Sequence, residues 1–153
     1  MNKQEAYTWA KEELRKRFAE EQDLIANLAN ASAILAQAME EINWVGFYLH
    51  REAQLLLGPF QGRAACTRIA LGSGVCGTAF VRGETLVVPD VHQFPGHIAC
   101  DARSRSEIVV PLFAKGVSRG VLDIDSPILN RFEEVDRENL EEITKLLERS
   151  CQW

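Results

Sequence analysis

The chemistry open to this chain starts with its four cysteines, at positions 66, 76, 100 and 151. Cys66 and Cys100 stand in stretches rich in glycine, proline and polar residues, GPFQGRAAC and FPGHIACD. Loops of that kind commonly hold functional side chains. Cys100 has His97, Asp101 and Arg103 around it and no apolar periodicity, so it reads as a reactive thiol rather than a packing residue. Cys76 opens a predicted helix in GSGVCGTAF, where a small buried hydrophobe is an equal reading. Cys151 falls in the C-terminal tail and reads as an inert thiol. A zinc site is the competing use, because His97-x-x-Cys100 is a ligand pair that Cys66 or Cys76 could complete. Only one short-spaced pair exists, and the gap of ten from Cys66 to Cys76 is wrong for a compact knuckle, so no metal is expected.

Carboxylates come next. In GVLDIDS the alternation puts Asp123 and Asp125 on one strand face, their side chains roughly 6–7 Å apart. Aspartate is depleted in strands. Two on one face mean either an exposed face or the floor of a pocket. Glu107, which opens the preceding strand, could join them. Carboxylates crowded in such a pocket raise at least one pKa, and a carboxylic acid still protonated near neutral pH can donate a proton. Trp44 and Tyr48 flank Gly46 on one face of another strand, leaving a space between two rings. Core packing is the ordinary explanation of such a pair. It becomes a ligand box only if that face is also the carboxylate face. GSGVCG lacks the Lys-Ser/Thr of a phosphate loop, and no CxxC or serine nucleophile elbow occurs.

The elements that position these residues are legible from periodicity. Residues 3–21 form a predicted helix with Tyr7, Ala10, Leu14 and Phe18 on one face. Residues 23–41 form a second, capped by Asp23, with a small-residue face (Ala29, Ser32, Ala36) suited to a sheet or a second subunit. From Asn43 the period becomes two, and 43–60 reads as a hairpin. A short helix follows at 76–83, then a strand within 85–91 and a long loop to about Ser106. A second hairpin turns near Lys115–Ser118. Residues 132–149 form the closing helix, with Asn130 as its cap. Helices, hairpin-connected strands and a final helix imply an α+β fold, an antiparallel sheet with the terminal helices on one face.

Composition narrows the function classes. The 153 residues suit a single domain spanning 1–153, and 46% hydrophobic with 25% charged residues is ordinary globular composition. A net charge of −5 disfavours nucleic acid and anionic membrane as partners. The start, MNKQEAYTWAKEELRKR, is too charged for a secretory segment, so a cytoplasmic protein with reduced cysteines is expected.

Taken in order, NWVGFYL, LGPFQG…AC, GVCG, FPGHIACD and GVLDIDS resemble the free methionine-(R)-sulfoxide reductases, a family built on the GAF fold. The resemblance runs from about Leu24 to the last helix. It implies a catalytic role for Cys100, a resolving role for Cys66 and an accessory one for Cys76. It implies that Glu107, Asp123 and Asp125 bind substrate beside an aromatic wall of Trp44 and Tyr48. The family often has Pro-Ala-Cys before the resolving cysteine, whereas this chain has Ala64-Ala65-Cys66, which leaves that loop less stiff.

The implied activity needs no bound cofactor. A thiolate attacks the sulfoxide sulfur, an acid protonates the oxygen, and a sulfenic acid becomes a disulfide that a thioredoxin-type dithiol reduces. A homodimer is also implied. The competing reading is a stand-alone GAF sensor of small molecules or oxidants, which would form the same disulfide without turnover.

Overall fold

In the computed structural model, which describes residues 1–98 and 100–153, four α-helices surround one sheet. The helices are α1 (Lys3–Phe18), α2 (Leu24–Ala38), α3 (Gly74–Arg82) and α4 (Glu134–Ser150). The strands are β1 (Trp44–Arg51), β2 (Gln54–Gly62), β3 (Arg68–Ala70), β4 (Leu86–Val88), β5 (Ser106–Ala114) and β6 (Val117–Ser126). They lie in the order β3-β2-β1-β6-β5-β4, every pair antiparallel. No helix among the described residues is long and apolar enough to cross a membrane.

Alternation splits the sheet into two faces. Val45, Phe47, Leu49, Ile108, Val110, Leu112, Leu122 and Ile124 pack against α1, α2 and α4. Each fully buried side chain of this size contributes about 1.5–3 kcal/mol relative to exposure. The predicted stripe of α1 is buried as expected, and Asp23 caps α2 by accepting from the Ala26 N–H at 2.9 Å. Both helices stop three residues short of their predicted ends. Ser32 is buried, its hydroxyl 2.9 Å from Leu28 O and 3.2 Å from Pro59 O. The small-residue face of α2 therefore turns its centre to the sheet, while Ala29 at its edge is exposed.

Three further boundaries differ from the sequence reading. α3 starts at Gly74, two residues early. The second hairpin turns on two residues, Lys115 (φ +53°) and Gly116 (φ +75°), as tight antiparallel connections do. Asn130 does not cap α4. Its backbone has φ +55° and its N–H donates to Pro89 O. The chain first buries Arg131 and Phe132, and the cap falls on Glu133, whose N–H donates to the Asp136 carboxylate at 2.8 Å.

Asp136 is the hub joining α1 to α4. It is fully buried and accepts from Lys3 Nζ and Tyr7 OH, each at 2.7 Å, and from Arg131 at 3.3 Å. Burial alone would raise its pKa, but the Lys3, Glu133 and Tyr7 hydrogen bonds and the Arg131 charge outweigh it and hold the carboxyl below its ordinary value. Its stabilisation is therefore present above the ordinary aspartate value of about 3.9 and is lost as pH falls through the folded value. Asp136→Ala strands the buried Arg131 guanidinium, at an expected cost of about 3–5 kcal/mol. Urea unfolding at pH 7 measures it, and an unchanged midpoint would remove the hub from the account.

Candidate active site

The sheet face turned away from α1, α2 and α4 carries Trp44, Tyr48, Val109 and Val121, covered by Val75, Cys76, Ala79 and Phe80 of α3. α3 reaches this face because Gly77 has no side chain, for a Cβ there would lie 2.6 Å from Ala70 O. The last glycine of GSGVCG thus serves close packing against β3, which is too short to leave a periodic signature.

Register brings the predicted residues together. On β6, Asp125 faces Trp44 and Asp123 faces Gly46 of β1. On the other side Asp125 faces Glu107 and Asp123 faces Val109 of β5. The aromatic and carboxylate faces are therefore one face. The space expected over Gly46 is filled, however. A Cβ at Gly46 would stand 2.8 Å from Phe60 Cα, and the Phe60 ring stacks on Trp44 at 5.2 Å. Trp44 and Tyr48 stack at 5.9 Å as one wall.

Both aromatics also use their polar ends. Trp44 Nε1 donates to Arg63 O at 3.1 Å and Tyr48 OH donates to Cys66 O at 2.8 Å. They anchor the segment that carries Cys66, which lacks the stiffening proline. Tyr48→Phe is expected to cost about 1 kcal/mol for the lost bond and to speed proteolytic cleavage within residues 63–67. Unchanged cleavage would show the segment is held by other contacts.

Cys66 and Cys100 form a disulfide, their Cα atoms 5.5 Å apart. The competing zinc pair His97-x-x-Cys100 is thereby left without a thiolate. The Cys100 segment is tied down by Asn43, whose side chain donates to Asp101 Oδ2 at 3.2 Å and to Ser104 Oγ at 3.1 Å. Asn43 also donates its N–H to Asp125 O. Sequence reasoning passed over Asn43, because one asparagine ahead of a strand has no spacing signal. Arg103 clamps Asp101, and its hydrogen bonds hold that carboxyl well below the usual carboxylate range.

Cys100, Cys76, Glu107, Asp123, Asp125, Trp44, Tyr48 and His97 all line one cavity, with about 40 Å³ of free space. That is room for a few waters. Glu107 and Asp123 are 6% and 5% exposed. Burial, then the Asp123 and Asp125 charges, push the Glu107 carboxyl well up. Burial and then Asp123 do the same to Asp125. Asp123 is raised by burial but opposed by hydrogen bonds from Glu107 and Cys76. The set therefore concentrates negative charge on Asp123 and protons on its neighbours. Burial first, then the same three carboxylates, raise the Cys76 thiol well up, so it stays protonated. Desolvation and nearby His92 lower His97.

Buried carboxyls with raised pKa values, an aromatic wall and Cys100, one half of a disulfide, thus border one small cavity on a two-faced antiparallel fold. The family model described as GAF domain matches residues 26–149. The free methionine-R-sulfoxide reductase of Escherichia coli (strain K12) is 48% identical, the match covering 97% of this chain and 90% of that protein. The reduced form of the Staphylococcus aureus free methionine-R-sulfoxide reductase superposes with TM-score 0.91 at 53% identity, covering 94% of each chain. The Neisseria meningitidis enzyme in complex with its substrate gives 0.90 at 49% identity, covering 94% of this chain and 87% of that one. The chain belongs to the free methionine-R-sulfoxide reductases of the GAF-domain family.

Proposed function

We propose that this chain reduces free L-methionine (R)-sulfoxide to methionine, with Cys100 as nucleophile and Cys66 as resolving thiol. The observation that supports it most is the Cys66–Cys100 disulfide beside the cavity that Cys100 shares with the carboxyl triad. In the first step the Cys100 thiolate attacks the sulfoxide sulfur, while Glu107 or Asp125 gives its proton to the oxygen. Methionine leaves and the oxygen ends on Cys100 as sulfenic acid. Cys66 then condenses with it, expelling water and forming the disulfide. A thioredoxin-type dithiol reduces the disulfide to two thiols and is itself oxidised. Asp123 receives the substrate ammonium, and the Trp44–Tyr48 wall takes its apolar carbons. The raised carboxyl pKa values ease the objection that an acidic pocket opposes thiolate formation, because they lessen the negative charge that the pocket carries.

Entry of an amino acid requires the cavity to widen, since the disulfide form leaves room only for a few waters. The same reading places the protein in the cytoplasm, as a homodimer, where a dithiol reductant is at hand.

The test is methionine release from each sulfoxide epimer by reduced protein with excess dithiothreitol. Repeated turnover of the free R epimer, with little of the S, is expected. Folded, reduced protein that turns over neither would favour the sensor reading.

A further inference from the structure

We propose that Cys76 Sγ, Glu107 and Asp123 form a binding site for a thiophilic divalent cation of the zinc class. The three ligand atoms all lie within 4.8 Å of one another, and all three residues are buried. Cys76 Sγ is 4.0 Å from Glu107 Oε2. Zinc bond lengths of 2.0–2.3 Å imply ligand separations of about 3.5 Å at a tetrahedral angle, so small rotamer shifts close the set.

A second observation points into the same spot. Asp123 Oδ1 is buried without a hydrogen-bond partner, although Asp123 is 95% buried (5% exposed). Among the described residues no lysine, arginine or histidine forms an ion pair with Glu107, Asp123 or Asp125. Asp123, on which the negative charge of the set is concentrated, thus lacks a counter-charge among the described residues, and a cation would supply one. The free space of about 40 Å³ admits an ion with a water ligand.

One sulfur and two carboxylates select a borderline-soft metal over magnesium or calcium, which take oxygen ligands at higher coordination number. Asp125 or water completes four ligands. Binding replaces two protons by the metal: Cys76–SH, the Glu107 carboxylic acid and M²⁺ give a metal held by the Cys76 thiolate and the Glu107 carboxylate, and two H⁺. None of the ligands is part of the disulfide, so the site exists with Cys66 and Cys100 joined. The binding stands on this geometry alone. Only its consequence, blockage of the cavity to an amino-acid sulfoxide, rests on the proposed reductase activity.

The experiment uses the full chain in its disulfide form with Cys151→Ser, so that Cys76 is the one thiol left. Co²⁺ is titrated in and its sulfur-to-cobalt charge-transfer absorption is read. One Co²⁺ per chain with that absorption, displaced by Zn²⁺, is the expected result. Asp123→Asn and Glu107→Gln should each weaken binding at least about tenfold, and Cys76→Ser should remove the absorption. No binding, binding without the sulfur band, or affinity untouched by Asp123→Asn would overturn the site. So would binding that appears only after Cys66–Cys100 is reduced. Methionine release is measured separately on reduced protein. Cobalt binding without turnover would sink the reductase reading and leave the site standing, and turnover without binding would do the reverse.

Discussion

Cys100→Ser is expected to release no methionine from the R sulfoxide, while Cys66→Ser releases about one equivalent per chain when no reductant is present. The difference follows from which atom receives the oxygen. Cys100 borders the cavity and Cys66 does not, so the first chemical step needs Cys100 alone. A serine hydroxyl at 100 is neither ionised near neutral pH nor nucleophilic enough to attack sulfur. Without Cys66 the sulfenic acid on Cys100 has no adjacent thiol, and dimedone should trap it in place of the disulfide. Cys76 is a poor substitute, because burial first, and then the carboxylates around it, keep its thiol protonated. Rapid mixing with substrate, followed by mass spectrometry, reads both quantities. A Cys76–Cys100 disulfide in the Cys66→Ser protein would make Cys76 an active resolving thiol. Loss of the first equivalent in that protein would move the nucleophile to Cys66.

Much of this arrangement was legible before the fold, and the missing parts share a cause. Alternation in NWVGFYL and GVLDIDS places Trp44 with Tyr48 and Asp123 with Asp125, because a strand's side-chain period is two. It cannot say that the two strands are neighbours. Paired residues of β1 and β6 stand more than seventy positions apart in the chain and join across the centre of the sheet. That pairing alone turns two suggestive faces into one cavity. Gly46 was misread for a related reason. The space beside a glycine belongs to whatever the next strand puts there, and β2 puts Phe60 there. The cap of α4 was misplaced because Asn130 has the better cap chemistry locally, while burial of Arg131 and Phe132 delays the helix to Glu134. Asn43 acts only through tertiary contacts with Asp101 and Ser104.

The remaining large effect concerns the proton. Glu107→Gln keeps the shape and a hydrogen-bond donor facing Asp125 but cannot transfer a proton, so kcat/KM is expected to fall about 10²–10⁴-fold. Burial and the neighbouring Asp123 and Asp125 charges raise the Glu107 carboxyl well above its ordinary value. The folded state therefore binds a proton that the unfolded state has lost. Its stability contribution is fully present below about pH 4.3, the ordinary glutamate value, and is lost as pH rises through the folded value. Glu107→Gln should accordingly be more stable than the parent on the alkaline side and equal to it in acid, so lost activity cannot be ascribed to unfolding. The alkaline decline of kcat/KM should flatten in the same variant. Asp123→Asn should behave differently. Asp123 accepts hydrogen bonds from Glu107 and Cys76 and so holds the negative charge. Its loss should raise KM for the amino-acid sulfoxide more than it lowers kcat, because the ammonium is bound in ground and transition states alike. If instead Asp123→Asn removes the alkaline limb and Glu107→Gln raises KM, the two carboxyls have exchanged roles. A pH–rate profile of each variant beside a denaturant curve at the same pH values decides between the two assignments.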